Sequence, residues 1–114
     1  MSACLFCRIV TKDVPAQIVA ATPEVLAFKD VNPQAPTHLL IIPTRHVASV
    51  TGLTDQDAGL LMQMMRMANQ LAGAAGLASR GFRLVVNSGA EAGQSVAHLH
   101  WHLLGGRPMR WPPG

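Results

Sequence analysis

At 114 residues, with 49% hydrophobic and only 13% charged residues, the chain has the size and apolar content of one hydrophobic core. That composition excludes a disordered chain, and the lack of an apolar run near ~18 residues excludes a transmembrane helix. Aromatic content of 4% without Tyr, and a net charge of +3 from scattered basic residues, argue against a nucleic-acid binder.

The chain opens on Met1-Ser-Ala-Cys-Leu-Phe-Cys-Arg, which lacks a signal peptide's basic start, apolar core and cleavage site. The two cysteines are therefore expected in a reducing cytoplasm. Cys4–Val10 reads as a short helical turn. Cys4 and Cys7 have metal-ligand spacing, but two thiolates cannot close a tetrahedral site, and His46 and His98 are candidates for the other two ligands. Buried free thiols are the plainer reading. A thioredoxin-like redox pair is weak, because no βαβ pattern follows.

Strand-like runs follow at Gln17–Ala21, Val25–Lys29 and His38–Ile42, the last bracketed by Pro33, Pro36 and Pro43. One long helix is predicted from Thr54 to Ala75, with Thr54 and Asp57 as a capping box and Gly76 past its end. Gln63, Arg66 and Gln70 make a narrow polar stripe, while Leu60, Leu61, Met64, Met65, Met67, Ala68, Leu71 and Ala72 fill the rest. That is about twice the ~100°-wide apolar face a helix needs to pack on a sheet. With a mean hydropathy of +0.25, the surplus points to a subunit interface. Phe82–Asn87 and His98–Leu104 complete five strands, and their short connections predict a mostly antiparallel sheet. The whole is a single α+β domain over 1–114, with an extended tail from 105.

Three of the five histidines stand at strict alternation in His98-Leu99-His100-Trp101-His102. On a strand they share one face, about 6.7 Å apart, while Leu99, Trp101 and Leu103 anchor the other. A neutral imidazole can attack phosphorus, and a second on the same face can move a proton or hold phosphoryl oxygens. The preceding Gly93-Gln94-Ser95 offers backbone N–H groups and a hydroxyl suited to an oxyanion. A three-histidine metal site competes with this reading but leaves those donors without a role.

The stretch Gly93-Gln-Ser-Val-Ala-His-Leu-His-Trp-His-Leu-Leu-Gly-Gly-Arg107 resembles the signature of the histidine-triad (HIT) superfamily. Phe28-Lys-Asp-Val31, Pro33-Gln-Ala-Pro-Thr-His38, Ile42-Pro-Thr-Arg-His46, Val85-Val-Asn87 and Trp111-Pro-Pro-Gly114 are similar to its Hint branch, over nearly the whole chain. The resemblance implies a homodimer with joined sheets and the long helix at its interface. It also implies hydrolysis of purine nucleoside 5′-phosphoramidates, of AMP or GMP type and including adenylated lysine, through a nucleotidyl-histidine. It makes His100 the nucleophile, His102 a phosphate contact and Ser95 a proton donor to the departing amine, while His38 either orients the triad or satisfies a polar contact beneath it. Gly93 and Gln94 would line the phosphate site, Asn87 the phosphate–ribose side, and Asp30 the ribose hydroxyls. Phe6, Ile9, Val14, Phe28, Val31 and Leu40 would border the base, or simply pack the core. Some bacterial relatives with the cysteine pair hold a structural Zn2+ through Cys4, Cys7, His46 and His98, which leaves the chemistry itself cofactor-free. Such an ion would pin the N-terminal turn to the catalytic strand, with His38 or a backbone carbonyl bonded to a ligand ring. A dinucleoside polyphosphate hydrolase and a nucleotide-binding scaffold dimer are the alternatives.

Overall fold

The computed structural model describes residues 2–114. Helix α1 (Leu5–Val10) is followed by strands β1 (Ile18–Ala21), β2 (Val25–Lys29) and β3 (Thr37–Pro43). Helix α2 (Ala58–Ala74), β4 (Phe82–Val86) and β5 (Trp101–Gly105) come next. The five strands form one sheet in the order β1-β2-β3-β5-β4, antiparallel at every pairing. This matches the α+β architecture expected from the sequence. No helix among the described residues is long and apolar enough to cross a membrane.

Strand alternation divides the core into two layers. Val25, Ala27, Leu39, Ile41 and Leu103 face α2, where they pack with Leu60, Met64, Met67, Ala68, Ala72 and Leu77. The opposite sheet face carries Leu26, Phe28, Leu40 and Ile42, covered by Phe6 and Ile9 of α1. His98 and His100 lie on this side, both edge-on to Phe6.

The α2 entry follows the capping box: Thr54 N–H donates to Asp57 Oδ2 at 2.8 Å, and the Thr54 hydroxyl accepts from the first turn. That turn, Asp55–Asp57, is a 3-10 turn, so the α-helix proper starts three residues later than the cap suggests. Gly76, at φ +74°, ends the helix in the left-handed region that favours glycine. The second apolar side of α2 stays open in the single chain, with Met62 51% and Met65 37% exposed.

The triad strand departs from its predicted extent. β5 begins at Trp101, and His98 to His100 form an unpaired lead-in. Continuing the register would place Leu99 opposite Pro43, which has no N–H for the ladder. The Leu99 N–H donates instead to Val47 O at 2.6 Å. The alternation survives, since Leu99 and Leu103 are buried with Trp101 against the α2 layer.

Gly105 shows how tightly α2's C-terminal loop closes on this strand. A Cβ there would lie 2.4 Å from Leu77 Cδ1 and 3.2 Å from its Cγ. Leu77 is almost wholly buried and cannot swing aside. Gly105→Ala is expected to destabilise the protein by about 1–3 kcal/mol through overpacking. In a denaturant double-mutant cycle with Leu77→Ala, the two costs should be less than additive; full additivity would contradict the contact.

Candidate active site

The three triad histidines do not form an even row; they divide among three environments. His98 turns toward His46, with ring centroids 5.1 Å apart, and His102 turns toward His38 at 5.2 Å. His100 lies between, 5.1 Å from the His102 ring and edge-on to Phe6 at 5.1 Å.

Hydrogen bonds to groups that can only accept or only donate settle each ring's tautomer. His100 Nδ1 lies 2.7 Å from the His98 carbonyl, which can only accept, so Nδ1 carries the proton. A neutral His100 therefore keeps its lone pair on Nε2. The ring is 3% exposed and locked in place.

His102 is set by a chain of two bonds. The Gln34 N–H donates to His38 Nδ1 at 3.0 Å, so a neutral His38 carries its proton on Nε2. That Nε2–H donates to His102 Nδ1 at 2.9 Å, leaving His102 with a proton on Nε2. Asp30 Oδ2 stands 3.4 Å from the same His38 nitrogen, and Asp30 Oδ1 accepts the Asn32 N–H at 2.8 Å. Gln34 is itself clamped, its carbonyl accepting from Arg107 Nε and Nη2, each at 3.0 Å. The roles of Gln34 and Arg107 were not foreseen from sequence. Arg107 lay inside the quoted motif, but the backbone amide that sets His38 leaves no trace in residue type.

Burial holds both His38 and His102 below the usual histidine range, with Asp30 opposing the effect at each. For His102 the neighbouring imidazoles of His100 and His38 add to the depression. Protonating His38 would also turn Nδ1 from an acceptor into a donor facing the Gln34 N–H. A histidine depressed on folding contributes stability fully present above its unfolded pKa of about 6.5 and lost as pH falls toward the folded value. Urea unfolding from pH 7.5 to 5 should show falling stability, with a shallower slope in His38→Gln. Stability that rises on acidification would contradict this.

Cys4, Cys7, His46 and His98 bring one ligand atom each to within 4.8 Å of one another. Cys4 Sγ and Cys7 Sγ lie 3.3 and 3.5 Å from His98 Nδ1, and Cys7 Sγ lies 3.4 Å from His46 Nδ1. Sulfur–nitrogen edges of about 3.5 Å are what a tetrahedral zinc requires. His98 Nε2–H donates to Pro43 O at 2.9 Å, so its Nδ1 lone pair faces the thiols. The group bonded to this ring is the backbone carbonyl, while His38 serves His102. The donor set fits zinc. Asp30, His38 and His102 also converge, but a metal there would strip His38 Nε2 of its proton and force one onto Nδ1 against the Gln34 N–H.

The remaining candidates fall into place unevenly. Phe6, Ile9, Phe28 and Leu40 are buried together, with Val14 half-buried against them, whereas Val31 is fully exposed and lies outside that layer, beside Asp30 and Ala16 in a surface hollow. The Gly93 and Gln94 N–H groups are engaged in the loop that carries them. Those groups donate within the loop, to Ala90 O and Gly89 O. The Gln94 side chain braces the same loop, accepting from Gly89 N–H and donating to Ala48 O and Val96 O. Asn87 sits one residue past β4, in line with Arg83 and Val85. Ser95 is exposed and shares a groove with Cys4, Cys7 and His46.

The HIT domain family model matches residues 11–109. An uncharacterized HIT-like protein of Synechocystis is 47% identical over 110 residues, 96% of each chain. A HIT family hydrolase from Legionella pneumophila superposes with a TM-score of 0.96 at 50% identity, covering 97% of this chain and 99% of its own. A HIT family hydrolase from Clostridium thermocellum gives 0.93 at 43% identity, with 96% of both chains covered.

Proposed function

The chain belongs to the HIT domain family, and from that premise we propose that it hydrolyses nucleoside 5′-phosphoramidates, of purine type, through a nucleotidyl-histidine. The observation that carries this reading is the His100 Nδ1–H bond to the His98 carbonyl, which leaves Nε2 as the free nucleophile. Related proteins described as HIT family hydrolases support the class of reaction. A relative from Candida albicans, 28% identical, is described as a histidine triad nucleotide-binding protein.

In the first step the His100 Nε2 lone pair attacks the α-phosphorus. The P–N bond of the substrate breaks, and its electron pair leaves with the amine nitrogen. Ser95 relays a proton from solvent to that nitrogen, so a neutral amine departs. His102, whose Nε2 bears a proton, donates to a phosphoryl oxygen as charge builds. Water then attacks the nucleotidyl-histidine, the P–N bond to His100 breaks, and the ring recovers its lone pair as nucleoside 5′-monophosphate leaves. Asp30 would hold the ribose, Asn87 the phosphate–ribose side, and the Phe6–Phe28–Leu40 layer would back the base. A zinc ion on Cys4, Cys7, His46 and His98 would tie α1 to the lead-in of β5. Its part is structural.

The same reading makes the protein a homodimer. The supporting features are the open edge of β4 and an apolar hollow lined by Met65, Leu84, Val86 and Trp101. Light scattering at micromolar concentration should give twice the monomer mass; a monomer mass would refute the dimer. The function is tested with lysine-, tryptamine- and propylamine-linked adenosine 5′-phosphoramidates. Release of AMP and free amine is expected, and absence of turnover on all three would overturn the assignment.

A further inference from the structure

Arg83, Arg107 and Arg110 line one groove of about 590 Å³ together with Val85, Leu104 and Met109. Pro112, Pro113 and Gly114 complete the wall; no Asp or Glu side chain lines it, and the Gly114 carboxylate makes no ion pair with the arginines. Among the described residues the side-chain ion pairs are Arg45–Asp57 and His38–Asp30, both elsewhere. The bonds these arginines make go to carbonyl oxygens, which orient a guanidinium without neutralising it. Arg83 Nη2 donates to Arg110 O, and Arg107 donates to Gln34 O and Pro108 O, all at 3.0 Å. Three of the chain's nine cationic residues thus converge on one groove, in a protein of net charge only +3.

The groove's position links it to the histidines. Arg83 pairs with Leu104, and Val85 with His102, across β4 and β5. Paired residues of an antiparallel sheet share a face, so Arg83, Val85, Leu104 and His102 project from the same side. One two-residue step, about 6.7 Å, separates the His102 level from the Arg83 level. A group attached to a phosphorus held at His100 and His102 spans that step with about five or six bonds, the reach of a β-alanine or phosphoethanolamine amide. Arginine forks recognise planar and tetrahedral oxyanions in paired hydrogen bonds.

We propose that this groove is a subsite for an oxyanion, carboxylate or phosphate, carried by the leaving group of the substrate. The proposal rests on the phosphoramidate reading above and deepens it: the preferred leaving group is an anionic amine rather than a neutral or cationic one. Arg83 and Arg110 supply the free donors, while Arg107 also holds Gln34.

The test compares three adenosine 5′-phosphoramidates whose amines are propylamine, β-alanine and phosphoethanolamine, at low salt. Wild type should favour the anionic amines over propylamine by roughly tenfold or more in kcat/KM, as charge-assisted bonds permit. The preference should shrink at high salt. Arg83→Gln/Arg110→Gln should abolish it while leaving propylamine turnover unchanged, and exposed Arg110→Gln alone should reduce it with the fold untouched. The larger of the two anionic ratios identifies carboxylate or phosphate as the natural group. Equal turnover of all three amines by wild type overturns the proposal. So does an equal loss on all three in the double variant, which would place the arginines in folding or in contact between copies. Absence of any turnover would defeat the phosphoramidate reading instead. The groove is then tested by titrating 15N-labelled protein with inorganic pyrophosphate. Saturable shifts of the Arg83 and Arg110 Nε–Hε resonances support the subsite, and unmoved resonances overturn it.

Discussion

His100→Ala should lower kcat for phosphoramidate hydrolysis by at least about 10³-fold, the scale seen when a covalent nucleophile is removed. No neighbour can replace it. His98 has Nε2–H on Pro43 O and Nδ1 facing two thiols, and His102 has Nδ1 occupied by the His38 proton. Of the triad rings, His100 alone keeps an unprotonated nitrogen without a partner in this arrangement. The nucleotide contacts expected of Asp30, Asn87 and the Phe6–Phe28 layer lie outside its ring, so AMP affinity should change little. Acid quenching during wild-type turnover should trap protein heavier by one nucleotidyl group, and His100→Ala should show none. Added imidazole, filling the space left by the ring, should restore part of the rate. A variant that retained wild-type turnover would remove His100 as nucleophile, whatever its effect on stability.

The second large effect is expected from metal removal. Protein purified without a histidine tag should carry close to one zinc per chain. Below roughly a tenth of an equivalent, the four-ligand site fails. Stripping a structural ion held at a thousandfold above its dissociation constant costs about 4 kcal/mol. Chelation should therefore lower the melting temperature markedly in wild type and hardly at all in Cys7→Ser, whose site is already broken. The loss should centre on α1, because Cys4 and Cys7 attach that helix to His98 across more than ninety residues of sequence. His100 neighbours this site through both the His98 carbonyl and Phe6. Reduced turnover in the stripped protein would then come from a displaced nucleophile and be reversed by adding zinc back. A chelator without effect on melting would sink the structural role.

How much of this was legible beforehand follows from which interactions are local. The α2 entry was readable because Thr54 and Asp57 are three residues apart and bond to each other's backbone. Gly76 could be placed for a similar reason, since a left-handed helix end favours the residue without a Cβ. The His98-His100-His102 alternation also survived translation into structure. The Leu99 and Leu103 partners pull one face into the α2 core and leave the imidazoles on the other.

The even row of imidazoles did not survive, and the cause is not local. Pro43, on another strand, ends the ladder and offers its carbonyl to His98, so β5 begins three residues late. The bracing of the Gly93–Gln94 loop was not legible either, because its anchor, Ala48, is distant in sequence. Nor does residue type reveal that Gln34 contributes its backbone rather than its side chain to His38.

By itself, then, the sequence determined the elements, the two-faced strand pattern, the family and the inventory of chemical groups, because periodicity and motif spacing are properties of the chain. Only the tertiary structure decided which nitrogen of each ring holds the proton, which histidine faces the thiols and which faces His38 and Asp30. A tautomer is set by whatever donor or acceptor lies opposite it, and in this protein those partners are backbone groups brought in from other strands.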